Sequence, residues 1–407
     1  MASYTAYKYR MFPTREQQIL LAKTFGCVRY VYNRGLAIKM EVYQTTKKGI
    51  SVFKLTDKMA TWKKDQETLW LKEVNSQALQ MSLRFLDAAY TNFFKKRASF
   101  PRFKSKFDNH QLFCNPQNTT VDWDNGLVCF PKFQHGIKTV LHRKFNGTIK
   151  SSYVSKTPSG KYYISILVET DGDLPKLKKP RESKTLGIDL GIKDYATFSD
   201  GTVISNPHHF NKRFKALKRA QRKLSRKKKG SNNRTKQRVK VARLHEKVTN
   251  CRKDFLHKLT RSIVENQDYN SVAIEDLNVK ELLEKRKNKL SRYIADAGWG
   301  TFRTFLTYKC ERAGKNLLVI GRFEPSSKLC LCGYLNHNLT LKDRVWECPE
   351  CHTKHQRDVL AALNIRRFAF CKQNTRKELI GQELPESTPL ETRVSGSLKE
   401  EASMALA

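Results

Sequence analysis

Three acidic residues stand where an active site could use them. Asp189 follows the apolar run 186–188, Glu275 ends a second apolar run, and Asp358 opens a helical pattern after a loop. Acids at strand and helix ends can converge at one edge of an α/β layer. There, carboxylates can hold two divalent ions about 4 Å apart, which clamp both oxygens of a phosphodiester displacement. Oxygen ligands suit Mg²⁺. Taken singly, each acid is more simply interpreted as a cap or surface residue, and Asp358 as a helix N-cap.

Four of the ten cysteines form two close pairs, which are Cys330 with Cys332 and Cys348 with Cys351. Four thiolates in two pairs are typical of a structural zinc site, whereas the spacing of the other six indicates no disulfide framework. The first pair has one residue fewer between its cysteines than a usual zinc knuckle. Two alternatives therefore stay open at this point: His352 or His355 replaces a thiolate, or the ribbon has lost its metal.

The charge balance indicates a polyanionic partner. The 407 residues contain 78 Lys and Arg against 38 Asp and Glu, a formal net charge of +40. Self-repulsion of this size opposes compactness unless a polyanion screens it, and nucleic acid gains affinity from the counterions that its phosphates release. A passive ribosomal or chromatin-like binder would also fit. We see no signal-peptide pattern and no apolar run of membrane-spanning length, so we expect no membrane partner and a cytoplasmic location.

The N-terminal half predicts a helical block inserted into a β-rich domain. Residues 5–11 alternate like a strand, and helical spacing follows from Thr14. A second helix is predicted from about Trp70 to Lys96. Residues 101–173 carry hairpin turn signals between β-rich runs, which indicates a small antiparallel barrel or sheet that the first strand joins.

The C-terminal half predicts strands interrupted by a basic helical hairpin. Residues 185–198 are typical of a β-hairpin, and 269–277 and 317–320 of further strands. Between Asn211 and Arg261 there are 21 Lys and Arg and two acids. An apolar stripe in this region favours a phosphate-tracking helical hairpin over a solvated tail. The composition of the C-terminal end, by contrast, predicts a disordered tail.

Several ordered motifs resemble one family. They are GIDLGIKDYATFSDG at 187–201, RKLSRKKKGSNN at 222–233, DFLHKLT at 254–260, IEDLNV at 274–279, DAGWG at 296–300, PSSKLCLCGY at 325–334 and WECPECHTKHQRDVLAALNI at 346–365, with LQMSLRFLDAAYTNFFKKR at 79–97 and FPRFKSK at 100–106. Over residues 4–370 the chain resembles TnpB, a family of transposon-encoded RNA-guided DNA endonucleases related to type V CRISPR effectors.

The resemblance implies an α+β multidomain fold. The implied domains are a wedge-type β-barrel at 1–13 and 100–183, a helical recognition lobe at 14–99, an RNase H-like nuclease domain of RuvC type at 184–324 and 355–370, and a zinc ribbon at 325–354. The resemblance omits the tail at 371–407, which is expected to be disordered from its composition.

The resemblance also implies partners and site residues. It makes Asp189, Glu275 and Asp358 catalytic acids for two Mg²⁺ ions and the four paired cysteines ligands of Zn²⁺. The implied partners are a guide RNA from the protein's own element and double-stranded target DNA, bound by a monomeric ribonucleoprotein. Base pairing would read the target sequence, and the protein would read a short adjacent motif. The expected nucleic-acid contacts are Ser76, Gln77, Gln80, Lys212, Arg213, Arg222, Arg226, Lys227 and Lys228, of which Gln80 suits an adenine edge.

The chain departs from the family pattern twice, at the shortened first knuckle and at Gln356, where an acid often precedes the catalytic Asp358. The main hypothesis is RNA-guided, Mg²⁺-dependent cleavage of DNA. The alternatives are an RNA-guided repressor that does not cut, a DNA-joining transposase and a purely structural RNA-binding protein. Retention of all three acids disfavours the repressor, and no segment indicates the transposon-end-binding module that a joining enzyme needs.

Overall fold

The computed structural model describes residues 3–371 apart from 108–110, 171, 173, 286–288 and 341. The chain forms two compact units, one within residues 3–173 and one within 174–371. Apart from Cys371, the predicted disordered tail at 371–407 lies outside the described residues. Within the described ranges, none of the helices combines the length and apolar character that crossing a membrane requires.

The first unit contains three α-helices and a seven-stranded antiparallel sheet. Its elements are β1 (Ser3–Met11), α1 (Arg15–Thr46), α2 (Val52–Trp62), a 3₁₀ segment (Gln66–Glu73), α3 (Ser76–Phe94), β2 (Gln111–Asn115), β3 (Thr120–Asp122), β4 (Leu127–Phe130), β5 (Phe133–Val140), β6 (Thr148–Lys156) and β7 (Tyr162–Thr170).

Strand β1 lies inside this sheet although about a hundred residues separate it from the other strands. The strand order is β2-β6-β7-β1-β5-β4-β3, which leaves β2 and β3 at the two edges. Strand β1 pairs with β7 from Ser3 opposite Thr170 to Met11 opposite Tyr162. Tyr9 and Met11 are buried in the core that the helices share with the sheet, because alternate residues of a strand face the same side.

The second predicted helix is shorter than expected. The expected span from Trp70 to Lys96 divides into the 3₁₀ segment and α3, because Val74 between them is extended. Asn75 then caps the new helix, with its side chain accepting a hydrogen bond from the Gln77 backbone N–H at 3.2 Å. Capping of this kind satisfies a backbone donor that a helix start leaves without a partner.

The second unit has a five-stranded mixed sheet, a long helical hairpin and a small two-stranded sheet. Its elements are a 3₁₀ turn (Glu182–Lys184), β8 (Thr185–Leu190), β9 (Asp194–Phe198), β10 (Val203–Ser205), α4 (His209–Ser225), α5 (Asn232–Glu265), β11 (Ser271–Glu275), α6 (Val279–Lys285), α7 (Lys289–Ala297), α8 (Trp299–Arg312), β12 (Asn316–Ile320), β13 (Val345–Glu347), β14 (Lys354–Gln356) and α9 (Arg357–Phe368).

Helices cover both faces of the larger sheet, whose strand order is β10-β9-β8-β11-β12. Strands β8, β11 and β12 are parallel, and β9 and β10 continue the sheet antiparallel. Val272 and Ile274 of β11 join a core with side chains of α5 and α8. The intervening Ala273 packs with residues of α9 on the opposite face. This alternation places α9 on the face opposite α5 and α8, directly over β8.

The predicted basic hairpin is formed by α4 and α5. Arg234, in the first turn of α5, donates hydrogen bonds to the backbone carbonyls of Leu224 and Lys227, at 2.7 and 3.0 Å. Leu224 lies in the last turn of α4 and Lys227 follows the helix directly, so Arg234 ties the start of α5 to the end of α4. Gln237 adds a bond of 3.0 Å to the Ala220 carbonyl. The two helices are thus tied by side-chain-to-backbone bonds as well as by apolar contact.

Strand β8 and helix α9 approach each other at Gly187. A Cβ atom built on Gly187 would lie 2.1 Å from the backbone oxygen of Ala362. Gly187 therefore has no room for a side chain, and the strand and the helix backbones are in direct contact. We expect Gly187→Ala to lower the free energy of unfolding by about 1–3 kcal/mol or more, because overpacked cores must shift their backbones.

Thermal and denaturant unfolding of the variant would measure this loss. Gly300→Ala is the matched control, since Gly300 lies in α8 with no atom within 4 Å of an added Cβ. That change should be neutral or slightly stabilising, because alanine favours a helix over glycine. Equal effects of the two substitutions would contradict a tight strand–helix contact at Gly187.

Candidate metal centres

The first two acids end adjacent parallel strands. Ile188 of β8 is in register with Ile274 of β11, so that the next residues, Asp189 and Glu275, occupy corresponding positions at the carboxyl ends of both strands. Neighbouring strands of a sheet lie about 4.8 Å apart. The sheet alone therefore brings these two carboxyl groups to one edge.

The third acid reaches the same edge through α9. Asp358 lies four residues, one helical turn, before Ala362, which contacts Gly187, and Gly187 is two residues from Asp189 on one strand. The N-cap of α9 is Gln356, whose side chain makes no capping bond. The interpretation of Asp358 as a helix N-cap is thus wrong. Its carboxylate instead accepts hydrogen bonds from Arg344 Nη1, the shorter of 2.9 Å.

The electrostatics show that the acids interact. Burial, together with the charges of Glu275 and Asp358, raises the pKa of Asp189 to about 7 against an opposing effect of Arg357. Burial also raises the pKa of Glu275. Like charges in a partly desolvated site favour the protonated form. A divalent cation would reverse this preference, and three carboxylates form a hard oxygen donor set, so the residues fit Mg²⁺.

Glu275 is oriented by a buried network that the sequence motifs did not reveal. Ser326 Oγ donates a hydrogen bond of 2.6 Å to Glu275 Oε1. The fully buried Asn364 of α9 in turn donates to the backbone oxygens of Ser326 and Leu329, at 2.8 and 2.6 Å. Helix α9 therefore supports two of the acids, one directly and one through Ser326. Asn364 lies within the family motif at 346–365. The sequence signal for its structural role is that a polar residue stands among apolar neighbours.

A second supporting contact surrounds Asp276, the residue after Glu275. Arg303 of α8 and Arg322 beyond β12 bind the two Asp276 oxygens at 2.5 and 2.8 Å. Burial opposes ionisation of Asp276, but the hydrogen bonds and charges of both arginines hold its pKa below its usual value. The double ion pair fixes the end of β11. Asp276 thus has a positioning contact that the sequence had left without a role.

An open cavity of about 300 Å³ borders two of the three acids. Asp189 and Asp358 line it, together with the cations Lys193, Arg344 and Arg357. Carboxylates able to hold a cation and side chains able to bind a phosphate thus face the same space. Such a combination suits a phosphodiester whose charge must be neutralised while it reacts.

The four paired cysteines form a compact cluster, and all four Sγ atoms lie within 4.8 Å of one another. Among the described residues, this is the one group of three or more candidate ligands that reaches such spacing. The Sγ atoms of Cys330 and Cys351 are 3.5 Å apart, and those of Cys332 and Cys348 are 3.6 Å apart. Tetrahedral zinc with bonds of about 2.3 Å needs sulfur separations of about 3.8 Å. The donors fit Zn²⁺, and the shortened first pair does not prevent convergence.

Neither histidine is needed to complete four donors. His352 is exposed, and its Nδ1 lies 3.8 Å from a Glu347 oxygen. His355 is buried against Trp346, with its Nε2 3.0 Å from Cys330 Sγ. His355 is therefore placed to donate a hydrogen bond to a thiolate, as residues behind metal ligands commonly do.

The predicted motif-reading residues lie at the start of α3. Ser76 is its first residue and accepts a hydrogen bond from Lys63 Nζ. Gln77 and Gln80 are partly buried, and the side-chain oxygen of Gln77 is buried with no hydrogen-bond partner. Ser76 and Gln80 are one helical turn apart and so share a face. Lys63, whose pKa is lowered by burial, is a neighbouring cation that sequence reasoning missed.

The predicted phosphate contacts lie on α4 and directly after it. Lys212, Arg222, Arg226 and Lys228 are exposed, whereas Arg213 and Lys227 are partly buried. Beside them, Arg219, Lys223, Lys240, Arg243 and Lys247 line a groove of about 490 Å³ between α4 and α5. The structure therefore concentrates cations on the hairpin surface.

Comparison with known proteins identifies the family. Residues 163–286 match a family described as a probable transposase of the OrfB/IS605 type, and 299–365 match the TNB domain of Cas12f1-like proteins. Residues 1–48 match a helix-turn-helix domain associated with the first family. The second match spans α8, the cysteine cluster and most of α9.

Two relatives are named as RNA-guided DNA endonucleases, an activity that their names give as inferred. One, from Streptomyces pristinaespiralis, is 41% identical over 88% of each chain. The other, InsQ of Escherichia coli K12, is 35% identical over 90% of this chain and 92% of its own. The chain belongs to the TnpB family.

A solved structure supports the same α+β fold. A Cas12f1 chain in a complex with guide RNA and target DNA aligns with a TM-score of 0.56 and 14% identity, covering 90% of this chain and 99% of that one.

Mg²⁺ and protons should compete for Asp189. Because its pKa in the metal-free protein is about 7, Mg²⁺ should raise the melting temperature at about pH 8 and lose this effect towards pH 6. The raised pKa also means that ionisation of Asp189 opposes folding between about pH 4 and 7, with the full cost above pH 7. Asp189→Asn should therefore stabilise the metal-free protein at pH 8 and abolish the Mg²⁺ response.

Differential scanning fluorimetry across pH would test both effects. Asp254→Asn is the matched control, because Asp254 is an exposed acid on α5 that pairs with Lys258. A Mg²⁺ response that persists undiminished in Asp189→Asn would exclude Asp189 as a ligand.

The cysteine cluster should retain one zinc ion per chain. We expect Cys332→Ser or Cys351→Ser to lose zinc to a chelator that the wild type resists, since structural zinc requires all four donors. Zinc content by mass spectrometry of the metal would measure this. Cys129→Ser is the control outside the cluster. Zinc retention by the Cys332 variant would argue against four-cysteine coordination.

Proposed function

We propose that the protein is an RNA-guided, Mg²⁺-dependent DNA endonuclease encoded by a transposon. It cuts double-stranded DNA beside a short motif, using a guide RNA from its own element. The observation that carries the proposal is the placement of Asp189 and Glu275 at neighbouring strand ends, with Asp358 near enough for its charge to raise the pKa of Asp189, in a chain whose relatives are named for this activity.

The three acids would hold two Mg²⁺ ions. Bound there, the ions supply activation of the attacking water and stabilisation of the leaving 3′ oxygen. Ser326 keeps one Glu275 oxygen engaged, so the other oxygen is left for a ligand. The double ion pair of Asp276 keeps the strand end in place while the site is loaded.

Arg344 and Arg357 would orient the scissile phosphate. Arg344 binds Asp358 in the protein alone, and both arginines line the cavity beside Asp189. When a cation occupies the acids, Asp358 no longer needs Arg344 as its counter-charge. The guanidinium of Arg344 is then available to a phosphate. Its planar set of donors can bind two phosphate oxygens at once.

The domain assignments follow from the same family. We assign 184–324 and 355–370 as the RuvC-type nuclease domain, supported by the mixed five-stranded sheet, and 325–354 as the zinc ribbon, supported by the cysteine cluster. Residues 1–13 and 100–183 are the wedge-type domain, and 14–99 the recognition lobe. The antiparallel sheet that joins β1 to β5 and β7 supports this division.

Guide RNA and double-stranded DNA are the proposed partners of a monomeric ribonucleoprotein. The cations of α4 and of the groove between α4 and α5 suit the phosphates of an RNA or of an RNA–DNA heteroduplex. Ser76, Gln77 and Gln80 present hydroxyl and amide groups that can read base edges.

Loss of any one acid should abolish cleavage and leave RNA binding intact. For Asp189→Ala, Glu275→Ala and Asp358→Ala, we expect cutting to fall about a thousandfold or more, since each metal contributes several kcal/mol of transition-state stabilisation. The assay is cleavage of a guide-matched plasmid with Mg²⁺, alongside RNA affinity. Asp254→Ala is the control acid outside the site.

Two outcomes would count against the proposal. Wild-type protein that binds the guided target but never nicks it would favour the repressor. Joined products on transposon-end DNA would favour the transposase.

A further inference from the structure

The end of α3 and the loop after it, in the first unit, combine aromatic and basic side chains. We call residues 93–107, from the end of α3 to the loop after it, the aromatic–basic segment. No acidic residue occurs from 88 to 107. The segment combines aromatic with basic side chains, which are Phe93, Phe94, Phe100, Phe103 and Phe107 with Lys95, Lys96, Arg97, Arg102, Lys104 and Lys106.

Three of these phenylalanines are more than half exposed to solvent, and Phe100 is 42% exposed. Phe94, Phe103 and Phe107 are 72%, 56% and 76% exposed. Single exposed apolar residues are ordinary on protein surfaces, but large ones grouped together mark a binding surface. Lys and Arg side chains lie between these phenylalanines in the sequence. Together, the cations and the rings suit a partner that is a polyanion with flat apolar faces.

The other rings form a fixed base. Phe93 and Phe100 meet edge to face with centroids 5.3 Å apart, and Tyr90 packs against Phe100 at 5.5 Å. Lys39 lies over the Tyr90 ring at 5.0 Å. These contacts close the loop between α3 and Phe100. Aromatic pairs of this geometry add stability beyond their buried area.

The backbone of the segment is fastened to α1. The Asn33 side chain accepts a hydrogen bond from Lys104 N at 2.8 Å and donates one to Lys104 O at 2.9 Å. Lys104 Nζ also lies 3.9 Å from the centre of the Tyr32 ring. Phe103 and its basic neighbours are therefore held in an ordered conformation, which reduces the entropic cost of binding.

The surface continues from Asn33 into a cleft of about 580 Å³ along α1. Tyr30 and Trp70 lie edge to face in it, with centroids 4.9 Å apart. Arg29 and Arg34 line the same cleft. Aromatic faces and guanidinium groups thus extend the aromatic–basic segment, and the one acid that lines the cleft, Glu73, is paired with Lys23.

We infer that the aromatic–basic segment and the adjoining cleft bind an unpaired stretch of the guide RNA. Bases of single strands stack on aromatic side chains while cations track the backbone, largely without regard to sequence. The inference rests on the proposed function, which supplies a resident RNA. A resident partner also explains the exposure, because large apolar side chains left uncovered promote aggregation, and target DNA is present only transiently.

Paired substitutions separate stacking from charge. We expect Phe103→Ala with Phe107→Ala to weaken binding of the co-purifying RNA at least about tenfold, with an unchanged salt dependence. Phe53→Ala is the matched control, since Phe53 is also 76% exposed but lies on α2. Lys95→Ala with Lys106→Ala should reduce the slope of log affinity against log salt by about 0.7 for each lost contact. Lys54→Ala with Lys58→Ala on α2 is the charge control.

Filter binding with the full chain would use the co-purifying RNA, a short oligouridine and a short oligothymidine, after melting curves show that each variant folds. Unchanged affinity and salt slope in both test variants would overturn the inference. A loss confined to oligothymidine would overturn it in favour of a displaced DNA strand. Unchanged binding of all three probes together with loss of a co-purifying acidic protein would overturn it in favour of a protein partner.

The same data distinguish this inference from the proposed function. Wild-type protein that cuts a guided target while the phenylalanine variants bind RNA normally would retain the function and exclude the surface. If wild-type protein carries no specific RNA, the proposed function is excluded. In that case, a tenfold loss of oligouridine binding in the phenylalanine variants would still support the surface as a single-strand platform.

Discussion

The second unit depends on one close contact, the meeting of the β8 and α9 backbones at Gly187. An atom added there would fall 2.1 Å from Ala362 O. Because the strand and the helix touch, Asp189 and Asp358 are held near each other although their charges repel. The structure thus uses backbone packing to oppose an electrostatic cost, and the cost shows in the pKa of about 7 for Asp189. A bound cation turns that cost into affinity.

Positive and negative charges are concentrated on different parts of the second unit. A net charge of +40 would repel itself in any compact arrangement. The long hairpin of α4 and α5 carries much of it at the surface, where water and counterions screen it. The acids of the candidate site lie instead at a sheet edge with Arg344 and Arg357 beside them. The excess cations of the hairpin and the acids of the candidate site are therefore carried by different elements.

Much of this organisation was accessible from sequence, because it rests on local patterns. Strand β1 follows from the period-two alternation of residues 5–11, and the break between α4 and α5 follows from Gly230 with its polar neighbours. The strands ending in Asp189 and Glu275 are equally visible as apolar runs. The start of α3 could not be predicted in this way. It depends on Asn75 as a cap, and the amphipathic pattern continues across this boundary. The contacts of Ser326, Arg322 and Arg344 are made between distant segments, and no local pattern encodes them.

The placement of the cysteine cluster has a consequence for how such chains vary. The segment that contains it leaves the sheet after β12 and returns at the start of α9. Asn364 fixes its departure at Ser326 and Leu329, and the β13–β14 pair fixes its return at Gln356. Both anchor points lie outside the cluster itself. A knuckle shortened by one residue is therefore absorbed locally, since the four Sγ atoms still converge and both anchor points of the segment are kept.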